Sequence, residues 1–200
     1  MMISFAAAIV LLMSTPGPGV LSLAGVGAAY GFRAGLRYLV GLLIGTNLVA
    51  FAVVTGLGAL LLASVAIRTV LFVASTCYLI YLAWRIASAG SHIGFTAATR
   101  QPGLRDGVML QAINPKAYVV NTTLFSGFVL FPNAYGFEVM VKFLVVNVIW
   151  LGIHFTWLWV GASIQRMNLG AKVQRAINIT MAIAMLGVVV LAAASSSSLF

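Results

Sequence analysis

The chain has 200 residues, of which 62% are hydrophobic and only 6% are charged, and its mean hydropathy is +1.12. A soluble domain carries about a quarter charged residues, so this composition excludes a water-soluble globular protein. It indicates an integral membrane protein, and the lipid bilayer is its first expected partner.

Six apolar segments follow one another, each near the ~20 residues that a membrane-spanning helix needs. They are predicted at Ile3–Ala29, Tyr38–Ala63, Thr69–Ser88, Gly107–Phe131, Phe137–Gln165 and Ala176–Ala194. The runs lack the every-second-residue alternation of membrane β-strands, so the predicted fold is an all-α polytopic membrane protein. One transmembrane domain is expected over residues 1–200, with halves near 1–90 and 105–200 and a polar loop over 89–106.

The basic residues are distributed unevenly over the connections. Only Arg68 and Lys142 belong to the connections after segments two and four. The connections after segments one, three and five contain Arg33, Arg37, Arg85, Arg100, Arg105, Arg166, Lys172 and Arg175. By the positive-inside rule, these three connections are cytoplasmic and both termini are periplasmic. The net charge of +9 then reflects topology, and no nucleic-acid partner is expected.

Two of the segments contain helix-breaking residues. The first includes "MSTPGPG" over residues 13–19, and proline and glycine both disfavour a helix interior. The fourth includes Pro115 next to Lys116 in "QAINPKAYVVNTT". Because the two sets of three segments cross in opposite directions, the breaks fall at corresponding positions of two inverted three-helix halves. Interrupted helices in such positions indicate the binding site of a transporter.

Both features also have a structural explanation. A proline kink can serve packing alone, although freed backbone groups must be buried in protein or line a wet cavity. Lys116 is near the inner end of its segment, where a lysine can extend to lipid phosphates. A lysine at membrane depth is nevertheless a functional candidate by default. Two breaks, one of them with a lysine, favour a site over two kinks.

The motifs resemble those of the LysE/RhtB family of amino-acid exporters. They are "TPGPG" in segment one, "GVGAAYGFRAG" after it, "GLLIGTN" in segment two, "CYLIYLAWRI" in segment three and "NPKA" in segment four. The resemblance implies export of amino acids or close derivatives across the bacterial inner membrane. Carried over by position, the two motifs are Thr15, Pro16, Gly17 and Pro18, and Asn114, Pro115 and Lys116.

One position departs from the family pattern. Many members have an acidic residue directly after the second glycine of the segment-two motif, where this chain has Thr46 followed by Asn47. Its two acidic residues, Asp106 and Glu138, are at segment edges, which argues against a cationic substrate. The stretches "VMLQAINPKAYVVNTTLFSGFVLFP" and "YLAWRIAS" resemble most the branch of cysteine and O-acetylserine exporters. The predicted substrate is a small neutral amino acid or derivative.

The candidate substrate-binding residues are those of both breaks together with two asparagines, Asn47 and Asn121. Lys116 and freed N–H groups are expected to hold the α-carboxylate, because exposed N–H groups at a helix start attract anions. Freed carbonyls, with Asn114 and Asn121, are expected to hold the α-ammonium. His154 is the candidate for ion coupling, since histidine titrates near neutral pH; it shares a helix face with Asn147 and Trp150, which leaves a structural role equally open.

Other classes have less support. The chain has no nucleophile elbow, zinc-protease motif or paired aspartates, so neither an enzyme nor a catalytic residue is predicted. His154 and Cys77 alone do not make a metal site, and no cofactor is expected. Alternatives left open are an exporter of another small metabolite or ion and a non-transporting membrane assembly subunit. The sequence leaves the coupling ion open, and it is compatible with a homo-oligomer.

Overall fold

The computed structural model describes residues 1–15, 17–58, 63–88, 101–167 and 169–196, and these ranges contain helices and no strand. The helices are α1 (Met2–Ser14), α2 (Pro18–Val54), α3 (Val65–Ser88), α4 (Leu104–Ile113), α5 (Pro115–Ser126), α6 (Tyr135–Arg166) and α7 (Ala171–Ser196). Helices are the expected outcome, because they satisfy their backbone hydrogen bonds internally and lipid offers no replacement for them.

Three of these helices are long and apolar enough to cross a membrane by length and composition, namely α2, α3 and α6. The 13, 10 and 12 residues of α1, α4 and α5 are fewer than one crossing needs. This pattern is consistent with a polytopic membrane protein in which short helices act in pairs.

Helix α2 folds back on itself at Gly31. Gly31 has φ +82° and ψ 178°, a conformation that glycine adopts without steric cost. Residues 16 positions apart in a straight helix are about 24 Å apart, yet the Tyr38 hydroxyl donates a hydrogen bond to Ser22 Oγ at 3.1 Å. Residues 18–30 and 32–54 are therefore two helical arms. The sequence predicted a connection between Ala29 and Tyr38, but a single left-handed glycine is sufficient for the reversal.

Glycines allow the arms of α2 to contact neighbouring helices at backbone distance. A Cβ atom on Gly27 would be 3.1 Å from the backbone nitrogen of Ala162 in α6, and one on Gly161 would overlap the backbone of α2. In the same way, Gly41 of α2 and Gly107 of α4 each face the backbone of the other helix. Small residues permit such close packing in membranes. The two arms are thereby fixed against α4 and α6.

Lys142 was assigned from the sequence to a connection, but it is inside α6 and buried. Its Nζ is 2.7 Å from Glu138 Oε1 and also donates a hydrogen bond to the carbonyl of Phe125 at 2.9 Å. Glu138 Oε2 accepts hydrogen bonds from the backbone N–H groups of Leu130 and Phe131. The ion pair therefore holds the turn after α5 against α6. Lys142 does not belong to a connection between helices.

Candidate functional site

The first helix junction separates α1 from α2. Helix α1 ends at Ser14. Thr15 leaves the helical conformation, with φ −58° and ψ 122°, and Gly17 has an extended backbone. Helix α2 begins at Pro18, where a missing N–H costs nothing because the first N–H groups of a helix have no internal partner. Gly17 is the N-cap and has no side chain to accept a hydrogen bond from that first turn. Pro16, a predicted site residue, is outside the described residues.

The second helix junction is the single residue Asn114, between α4 and α5. Its φ and ψ are −80° and 106°, and α5 begins at Pro115. Asn114 Oδ1 accepts a hydrogen bond from the backbone N–H of Lys116 at 3.1 Å. Asn114 Nδ2 donates to Gln111 Oε1, also at 3.1 Å. This junction therefore has the side-chain cap that the first junction lacks.

Lys116 connects the two junctions. Its Nζ donates a hydrogen bond to the carbonyl oxygen of Thr15 at 2.7 Å. A Cβ atom on Gly17 would be only 3.0 Å from the same Nζ. The carbonyl end of a helix has partial negative charge, so the ammonium is well placed at the end of α1. The Lys116 side chain thus contacts the other junction of the chain.

Residues of both junctions line a cavity of about 60 Å³. One water molecule needs roughly 10–15 Å³ on this measure, so the space suits roughly four to six non-hydrogen atoms. Helices α1, α2, α4, α5 and α6 all contribute to its wall. The polar lining residues are Thr15, Thr46, Gln111, Asn114, Lys116, Asn121 and His154. The lining also includes Leu12, Met13, Gly17, Pro18, Gly19, Val20, Ala117, Val120 and Trp150.

Most of the predicted site residues meet at this cavity, but Asn47 does not line it. Its amide exchanges two hydrogen bonds with Asn147 of α6, each 2.8 Å long. Asn47 Nδ2 also donates to the carbonyl of Leu43. Pro115 does not line the cavity either, and its place is the first residue of α5. The sequence pattern does not show which helix Asn47 contacts. It also does not show which residues of the second junction line the cavity.

His154 is buried in the cavity wall, with 4% of its surface exposed. Its Nδ1 is 2.9 Å from the carbonyl oxygen of Trp150. The imidazole is stacked on the indole of Trp150, with ring centroids 3.5 Å apart and planes 13° apart. These two contacts fix the orientation of the ring.

Two polar lining residues were not proposed from the sequence as substrate ligands. Gln111 is buried and precedes Asn114 by three residues, a spacing that places neighbours on one face of a helix. Thr46 is also buried, and it occupies the position where many members of the resembled family have an acid. A neutral hydroxyl therefore lines the cavity at that position.

The helices and the apolar spans are consistent with a polytopic membrane protein, in which a small polar cavity lies between two helix junctions. A model of the LysE type translocator family matches residues 9–196, and the chain therefore belongs to this family. Its members export amino acids or related compounds across membranes, which agrees with the expectation that the chain is not an enzyme. No curated protein and no solved structure matches the chain.

Proposed function

We propose that the protein is an inner-membrane exporter of a small neutral amino acid or derivative, a secondary transporter that works by alternating access. One observation carries the proposal. The Lys116 ammonium and the uncapped first turn of α2 face the same small cavity. A carboxylate between them would receive a charge-assisted hydrogen bond and the favourable dipole of a helix start.

The proposed membrane arrangement has six spans in two inverted halves. The first span is α1 with residues 18–30, the second is residues 32–54, and the third is α3. The fourth is α4 with α5, followed by α6 and α7. Both helix junctions then occur part-way along their spans. The distribution of basic residues over the connections supports periplasmic termini in this arrangement.

The contact between Asn47 and Asn147 supports this symmetry. The two residues are 100 positions apart, close to the 99 positions between Pro16 and Pro115. Each amide donates to the other and to the carbonyl four residues before itself. A reciprocal contact between equivalent residues is what a two-fold axis produces. The axis between the halves would therefore pass close to this amide pair.

The two asparagines of the site have different roles in this proposal. Both polar atoms of the Asn114 side chain already have hydrogen-bond partners, so its part is to position Lys116. Asn121 Nδ2 donates to the carbonyl of Ala117. Asn121 Oδ1 has no hydrogen-bond partner within the described part of the chain, and it is proposed to accept from the substrate ammonium.

Size and charge favour a small zwitterion. The cavity has room for only a few non-hydrogen atoms, and no acidic side chain is among its lining residues. A cationic side chain would have no counter-charge there and would add to the charge of Lys116. The smallest amino acids match this volume most closely. Cysteine and O-acetylserine, which the motif resemblance favours, satisfy the limit on charge but are larger than the cavity and would need it to widen.

The substitution Lys116→Met tests the proposal, because it keeps the apolar stem and removes the charge. Hydrogen bonds to charged groups are worth about 1.5–3 kcal/mol, so export should fall roughly tenfold or more. Lys172→Met is the matched control, since Lys172 is exposed at the start of α7. Export of cysteine, serine and O-acetylserine is measured from cells that contain equal amounts of each variant.

Export at the wild-type rate by Lys116→Met would contradict the site. An assembly subunit makes a different prediction, in which the substitution changes the abundance of the protein and leaves all export rates unchanged. The wild-type chain distinguishes these readings, because an assembly subunit alone exports nothing after purification into vesicles.

A further inference from the structure

The two ring nitrogens of His154 have different surroundings. A carbonyl oxygen can only accept a hydrogen bond, so the nitrogen next to the Trp150 carbonyl, Nδ1, carries the proton. In the neutral ring, Nε2 is then an acceptor. It has no hydrogen-bond partner among the described residues, although His154 is buried and lines the cavity.

Gly19 leaves space in front of this nitrogen. A Cβ atom built on Gly19 would be 3.6 Å from His154 Nε2 and 3.9 Å from Gln111 Oε1. Two acceptors therefore border the place that a side chain at this position would fill. An alkylammonium group has three N–H donors and no acceptor, so it is the chemical match for this place.

Lys116 and His154 line the same small cavity. Lys116 Nζ is beside Gly17, and His154 Nε2 is beside Gly19, two residues further along the chain. An amino acid has its carboxylate and its ammonium on one carbon, so a single bound molecule can present one group to Lys116 and the other to His154.

We infer that His154, protonated at Nδ1, accepts a hydrogen bond at Nε2 from the α-ammonium of the substrate. Gln111 Oε1 and the Asn121 Oδ1 proposed above are the acceptors for its other two N–H groups. This rests on the proposed function and adds a residue that distinguishes an amino acid from a simple carboxylic acid. The stacked Trp150 indole holds the ring in place, so His154 is a specificity residue for the ammonium and not the site of ion coupling.

The test uses purified full-length protein in vesicles of phosphatidylethanolamine and phosphatidylglycerol. The probe is whichever of L-serine, L-cysteine or L-alanine the wild type exchanges fastest, in homoexchange without an ion gradient. The second ligand is its analogue in which hydrogen replaces the α-ammonium, measured as an inhibitor. His154→Phe keeps a flat ring and removes the acceptor, and His154→Gln keeps an acceptor. His92→Phe, at the other histidine of the chain, is the control.

For His154→Phe we expect the KM of exchange to rise about tenfold or more, with Vmax little changed and the inhibition constant of the analogue unchanged. His154→Gln should recover most of the lost affinity, and His92→Phe should match the wild type. Gly19→Ala adds a methyl group at ordinary contact distance from Nε2. It should raise KM in the wild type and add nothing in His154→Phe.

Two other results overturn the inference, and they differ from a failure of the proposed function. An unchanged KM in His154→Phe, together with loss of export driven by a proton gradient, would make His154 a coupling residue. An equal loss of affinity for the probe and for its analogue would mean that the ring only shapes the cavity. If the wild type exchanges none of the three amino acids, the proposed function itself fails.

Discussion

The two helix junctions differ in whether a side chain caps the helix that follows. At the second junction, Asn114 caps the first turn of α5 with its own side chain. At the first junction, Gly17 offers no side chain to the first turn of α2. A capped helix start is satisfied without a ligand, whereas an uncapped start leaves N–H donors for one. The second junction therefore positions a lysine, and the first can receive an anion.

The largest effect is expected from giving the first junction the cap it lacks. Gly17 has an extended backbone, φ −157°, that any residue adopts. In Gly17→Asp the new carboxylate would cap α2 and pair with Lys116, in the place proposed for the carboxylate of the substrate. Amino-acid exchange should fall more than tenfold, while thermal stability is kept or raised.

In Gly17→Asp the rate of exchange should therefore fall while the melting temperature does not. Gly17→Asn, a neutral cap, is the control and should reduce exchange less. If Gly17→Asp exchanges amino acids normally, the first junction does not receive the carboxylate.

An intermediate effect is expected from removing the cap at the second junction. Asn114→Ala leaves the Lys116 N–H without its acceptor, and loss of such a cap costs about 0.5–2 kcal/mol. For a chain of this length about 1 kcal/mol corresponds to roughly 2–4 °C in Tm. The KM of exchange should rise as well, because the lysine is no longer fixed.

Asn114→Ser is the matched variant, since serine is also a good N-cap. It should restore most of the stability and part of the affinity. If stability recovers and affinity does not, the cap stabilises the helix but does not position Lys116.

The smallest effect is expected at the asparagine pair outside the cavity. Interhelical hydrogen bonds in membranes are worth about 0.6 kcal/mol on average, so Asn47→Ala should lower stability only slightly. Asn147→Ala should cost a similar amount, and the double variant should cost less than the sum, because each single change removes the same contact. KM should stay at the wild-type value in all three variants. A several-fold increase of KM in Asn47→Ala would mean that Asn47 contacts the substrate.

Composition was sufficient to predict the all-helical class, because a chain with few charges and long apolar runs is typical of a helical membrane protein. The motifs were sufficient to predict the family. The sequence pattern predicted a connection between Ala29 and Tyr38, but not that the reversal needs only Gly31, since one glycine in an apolar helical sequence gives no distinct signal. Charge counting misassigned Lys142 because a sequence does not show whether a lysine is paired with an acid four residues away. For Asn47 and Gln111, periodicity gives a helix face but not the neighbour that the face contacts.

If the two junctions form one substrate site, changes at Gly17 and at Lys116 are coupled, and a double-mutant cycle measures this coupling. A methyl group at Gly17 would be 3.0 Å from Lys116 Nζ, which is closer than an ordinary contact. The ammonium would have to shift slightly, so Gly17→Ala should raise the KM of amino-acid exchange several-fold in the wild type. In Lys116→Met the charge is already absent, and we predict that the same change leaves KM unchanged. Equal increases in KM in both backgrounds would mean that the junctions act independently, and would contradict a shared substrate site.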